Sequence, residues 1–182
     1  MQDTAVELAK VQRRSGDLDY NTMSMSMGRK SSAGGGGGAG SVPDVAYGPP
    51  GYFNAKGISQ SDTNVSTLAT KLRPGLSLKG SLGSPTDAAE FLLRVSLAPE
   101  GSGKIATLLS AGEEVRGLGS VYTFEYKVER GDRGLPLRAI SVISVQGGDT
   151  LITMTVIAPA KDWVGEYEMK LRRMAESFKV TR

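Results

Sequence analysis

The chain has 182 residues, 22 Lys and Arg against 19 Asp and Glu, and 39% hydrophobic content, so there is room for one domain of ordinary size and an appendage. A net charge of +3, all of it in residues 64–182, is too small an excess for a nucleic-acid footprint, which needs a concentrated basic stripe. With no Cys and no His there is no thiol chemistry, no disulfide frame and no imidazole base or metal ligand, and these absences argue against an enzyme.

The first 63 residues read as an extended arm and flexible linker. Residues 3–14 fit a short helix with Asp3 as its N-cap, which at about a dozen residues is marginal in water without a partner. The opening Met1-Gln2-Asp3-Thr4 is neither basic nor followed by an apolar core, so it does not read as a targeting peptide. In Thr22–Met27, Met23, Met25 and Met27 alternate with polar residues. That period of two is either chance in a loose tail or an extended segment with a thioether face suited to an irregular apolar partner. The run Gly34–Gly38 costs too much backbone entropy to be an element interior and reads as a linker. Ser41–Asp62, with Pro43, Pro49 and Pro50, reads as irregular surface chain.

Residues 64–182 hold most of the apolar material and form the expected domain. Val65–Leu72 is a strand candidate closed by Pro74-Gly75. Ser84, Pro85 and Asp87 then supply an N-cap, a first helical proline and a first-turn acid, and Ala88, Phe91, Leu92 and Val95 form one apolar face. Three strands follow. In the first, Tyr122, Phe124, Tyr126 and Val128 alternate with polar residues. The second, Leu137–Gln146, is apolar on both faces, and the third, Leu151–Ala158, follows the Gly147-Gly148-Asp149 turn, giving an antiparallel meander. Asp162 reads as the cap of a closing helix, with Trp163, Tyr167, Leu171, Met174 and Phe178 as one stripe against the sheet. The class is α+β, and no apolar run approaches the ~20 residues that span a bilayer.

Three features bear on chemistry. Gly101-Ser102-Gly103-Lys104 resembles the end of a phosphate loop, but Ala98 stands where its first glycine belongs and Ile105 where a magnesium-binding Ser or Thr belongs, so it reads as a turn. Glu113 and Glu114, the adjacent acidic pair, are the candidates for a weak calcium contact, against a solvated pair in a loop between Gly112 and Gly117. Lys170, Arg172 and Arg173 are either a solvated helix face paired with Glu166, Glu168 and Glu176, or a docking patch for an acidic partner.

Several blocks occur in one order: Asn64-Val65-Ser66, Leu82-Gly83-Ser84-Pro85, Tyr122-Thr123-Phe124-Glu125-Tyr126, Ala139–Ile143, Gly148–Thr153, Ala160-Lys161-Asp162-Trp163 and Leu171–Val180. Together they resemble the PsbP family over residues 64–182. The resemblance implies an antiparallel sheet flanked by helices. It also implies a non-enzymatic extrinsic or assembly subunit on the lumenal side of the thylakoid, peripheral to the membrane of a chloroplast and bound to photosystem II or photosystem I. Met23, Met25, Met27, Lys170, Arg172 and Arg173 are the expected partner contacts. No cofactor is expected beyond weak calcium, and the alternative is a lumenal calcium, manganese or small-ligand binding module. The family's proposed metal-binding histidines have no counterpart in a chain without His.

Overall fold

The computed structural model describes residues 45–48, 61–71 and 74–181. The expected helix over residues 3–14, the methionines Met23, Met25 and Met27, and the glycine run lie outside them. Six antiparallel strands form one sheet: β1 (Val45–Tyr47), β2 (Asn64–Lys71), β3 (Ile105–Arg116), β4 (Gly119–Glu129), β5 (Leu137–Gln146) and β6 (Thr150–Pro159). Their spatial order is β1-β2-β6-β5-β4-β3, so β3 to β6 are a meander and β2 joins its far side. Two helices flank the sheet, α1 (Pro85–Leu92) and α2 (Gly165–Glu176).

The meander arises where the pattern is strictest. Tyr122, Phe124, Tyr126 and Val128 all face the α1 side and are buried, while Val121 faces the other side with Ile140, Val142 and Val156. Gly147 and Gly148 both take positive φ (63° and 70°) in the three-residue turn Gly147–Asp149 between β5 and β6, which sets a register of Gln146 opposite Thr150. The expected strand over 65–72 is β2, paired with β6 from Asn64 opposite Ile157 to Lys71 opposite Thr150.

Helix α1 begins as its residues dictate. The Ser84 hydroxyl accepts from the Asp87 N–H at 3.2 Å, and the Asp87 carboxylate accepts from the Ser84 N–H at 3.2 Å, a reciprocal capping box ahead of Pro85. The Ser84 hydrogen bonds hold the Asp87 carboxyl below its ordinary pKa. Ala88, Ala89 and Leu92 enter the core, and a wide π-helical turn at Leu93–Leu97 continues the helix.

Two departures from the expected layout concern strands. Val45–Tyr47, within a stretch that reads as irregular, pairs with Val65–Thr67 as the outermost strand. Ile105–Arg116, which has no strand signal in the sequence, is a twelve-residue edge strand. A register shift between Leu108 and Ser110 breaks its period of two, and as an edge strand it alternates only weakly between buried and exposed positions.

Candidate functional site

The α2 face of the sheet carries the densest set of charged groups. Ala160–Asp162 makes a 3-10 turn after β6, and Trp163 then folds under the helix, 3% exposed, its indole N–H donating to the Ala158 carbonyl at 3.4 Å. Asp162 does not cap α2: the N-cap residue is Val164, which has no side-chain cap, and the Asp162 carbonyl accepts the Val164 N–H. Leu171 and Ala175 press on the sheet beside Trp163, with Phe178 partly buried behind them. Tyr167 (40% exposed) and Met174 (43%) stand outside this contact. Because Trp163 precedes the helix, a stripe counted from it at helical spacing runs out of phase with the face α2 buries.

Around the indole lies an ionic clasp. Glu125, on the α2 side of β4 and 9% exposed, receives both guanidinium nitrogens of Arg172 (3.0 and 2.9 Å) and the Arg138 Nε (2.7 Å). Arg172 also reaches Glu168 one turn earlier, at 2.8 Å. The Arg138 and Arg172 guanidinium carbons lie 5.2 and 5.9 Å from the Trp163 ring centre, within cation–π range. Burial pushes the Glu125 carboxyl up, but the hydrogen bonds from Arg172 and Arg138 outweigh it and hold the group below its ordinary pKa. The same bonds to Glu125 raise Arg172 further above neutrality. In the sequence Glu125 reads as a solvent-facing residue of an alternating strand. The available signal was that a helix must cover this face, leaving a charge there in need of partners.

The segment after α2 is fixed next to the clasp. Val180 forms a parallel bridge with Gly117 at the β3–β4 turn: its N–H donates to the Arg116 carbonyl at 3.2 Å, and its carbonyl accepts from Leu118 at 3.0 Å. Arg116 donates to the Ala175 carbonyl at 2.7 Å and pairs with Glu114. Gly117 has φ +67°, and a Cβ there would stand 2.3 Å from the Val180 oxygen, so only glycine fits.

These contacts divide the expected site residues. Arg172 is drawn inward and locked to Glu125 and Glu168, so it is a structural residue of the clasp. Lys170 and Arg173 are exposed and form no ion pair with a described residue. Tyr167, Lys170 and Met174 follow one another at i, i+3, i+7 and make an amphipathic strip on the open side of α2, with Arg173 beside it. Glu113 and Glu114 lie in strand β3, where the sequence suggested a loop, and so point to opposite faces. Glu113 is opposite Tyr122 on the α1 side, whereas Glu114 is tied to Arg116 on the α2 side, so the two carboxylates do not converge. Among the described residues no three acidic side chains gather where one ion would reach them, and no helix is long and apolar enough to cross a membrane.

Comparison with known proteins agrees with this architecture. A CyanoP from Thermosynechococcus vestitus is 29% identical over 126 residues, covering 68% of this chain and 67% of that protein. The solution structure of cyanobacterial PsbP (CyanoP) from Synechocystis sp. PCC 6803 superposes with a TM-score of 0.54 at 22% identity, covering 75% of this chain and 81% of that one, which shows the shared fold. The PsbP family matches residues 45–180, from the first residue of β1 to the Val180 bridge and so through every described strand and both helices: the chain belongs to the PsbP family.

Proposed function

We propose that this protein is a non-catalytic accessory or assembly subunit of photosystem II, held peripherally on the lumenal side of the thylakoid. The observation that carries this reading is the family match over residues 45–180, which includes the whole sheet and both flanking helices. A relative of the CyanoP type over two thirds of its length supports it. The residues support it too. The most polar cluster, Glu125 with Arg138, Arg172 and Glu168, has its charges satisfied internally and serves packing.

The surface offered to the photosystem is the open side of α2. Lys170 and Arg173 supply charge that no described residue pairs, and Tyr167 and Met174 supply exposed apolar area beside them. Aromatic and Met side chains are enriched at the centres of interfaces, and rim cations govern approach and orientation more than affinity. The test is affinity purification of the tagged full chain from solubilised thylakoids, with mass spectrometry of what accompanies it. Photosystem II core subunits should be enriched, and Lys170→Glu with Arg173→Glu should reduce their recovery about tenfold while leaving the fold intact. Absence of any photosystem subunit above the untagged control overturns the function. Equal recovery by the charge-reversed protein overturns the surface.

A further inference from the structure

Strand β3 is the long edge of the sheet, with no described strand beyond it. At the other edge β1 is three residues long, whereas β3 runs for twelve, with Ile105 64% and Leu109 49% exposed. Unpaired strand edges are templates for another extended chain, and folds blunt them with short strands, bulges or cover. Here the irregularity at Leu108–Ser110 cuts the edge in two and leaves Ile105–Leu108 as a separate short run.

That run borders an open cleft of about 950 Å³ between β3, α1 and the π-helical turn after it. Its floor is apolar, from Leu82, Phe91, Leu93, Ala106 and Leu108, and its charged lining holds two carboxylates on α1, Asp87 and Glu90, as well as the cations Arg94 and Lys104. Neither cation makes an ion pair with a described residue. Immediately before the strand is the Gly101–Lys104 turn, in which Gly101 and Gly103 take positive φ (78° and 69°). The Ser102 N–H is used by the Pro99 carbonyl and the Lys104 N–H by the Ser102 hydroxyl, while those of Gly101 and Gly103 donate to no described residue.

A strand edge with no described partner, an apolar trough beside it, a glycine turn whose Gly101 and Gly103 N–H groups donate to no described residue, and the cations Lys104 in that turn and Arg94 in the cleft lining are the parts needed to seize a peptide by its terminus. We propose that this cleft binds the C-terminal segment of a partner polypeptide. The segment adds antiparallel to Ile105–Leu108, sends alternate apolar side chains under α1, and places its terminal carboxylate at the Gly101–Lys104 turn between Lys104 and Arg94. The antiparallel sense follows from the position of the turn, because it puts the carboxylate at the start of β3. A second copy of this chain fits the edge poorly. Antiparallel pairing of β3 with itself brings Lys104 opposite Arg116 of the other copy and sets Ser110, at the end of the register irregularity, opposite itself at the centre.

The full chain is screened with a bead library of N-terminally labelled hexapeptides that end in a free carboxylate and carry Val or Leu at the last and third-from-last positions. Selected peptides are remade singly, as acid and as C-terminal amide, and measured by fluorescence anisotropy. The acid should bind at least about tenfold more tightly than its amide, and Arg94→Glu with Lys104→Glu should weaken the acid by a similar factor. Amide resonances of residues 101–108 should shift on titration. Failure to select any peptide, equal binding of acid and amide, shifts confined to other parts of the chain, or a peptide that acts only by splitting a dimer would each overturn the proposal. No photosystem is present in this assay, so its outcome is independent of the docking role of α2.

Discussion

The two faces of the sheet are covered by different physical means. On the α1 side a short capped helix and π-helical turns at Leu78–Leu82 and Leu93–Leu97 bury an apolar cluster whose polar groups are neutral, the Asn64 amide and several hydroxyls. The Tyr122 hydroxyl donates to the Gly83 carbonyl at 2.8 Å, and Tyr126, Ser141 and Thr155 form a chain of hydroxyl contacts at 3.0 and 2.9 Å. On the α2 side one long helix rests on a tryptophan boxed by two arginines and two glutamates. Neutral contacts hold at any pH in the working range, whereas the ionic clasp holds only while its carboxylates are charged. Registration by charge is directional, so it orients α2 as well as attaching it.

The largest effect should come from removing the centre of the second face. Trp163→Ala deletes a side chain 3% exposed, which anchors both guanidinium groups, and should cost about 3–5 kcal/mol in denaturant unfolding. A loss under about 1 kcal/mol would mean that α2 is held by its charges alone. Glu125→Gln is smaller, about 1–3 kcal/mol, because Arg138 and Arg172 keep Glu168 and some solvent access. It also separates the faces by pH. The folded carboxyl titrates below its ordinary value of 4.5, so its stabilisation is complete above that value and disappears as pH falls through the folded pKa. Wild type should therefore lose stability more steeply than Glu125→Gln in acid below about pH 4.5, and parallel curves would remove the charge-based account of this face. Tyr122→Phe, on the neutral face, should cost only about 1 kcal/mol for the bond to Gly83, with no change in acid slope.

The parts of the molecule legible in sequence are those governed by local rules. Alternation through Tyr122–Val128 shows β4, the glycine pair shows the β5–β6 turn, and Ser84-Pro85 with Asp87 shows the start of α1. Lys170 and Arg173 are exposed, while the pairing of Arg172 with Glu125 is illegible in sequence, because the two lie 47 positions apart and no local pattern announces it. Strand β3 was hidden for the same reason in another form. An edge strand with a register shift buries too little on either face to print a period of two. β1 is shorter still and exists through pairing with β2.

The place of β2 has a consequence for how the protein is made. Asn64 is paired with Ile157, far along the chain, whereas β3 to β6 are joined by short turns, so the meander can assemble from near neighbours while β2 must wait for the last strand to emerge. The Val180 bridge to Gly117 is later again, since it needs the segment that follows α2. The sheet therefore closes only once β6 has formed, and until then the apolar side of β2 stands open to chaperones.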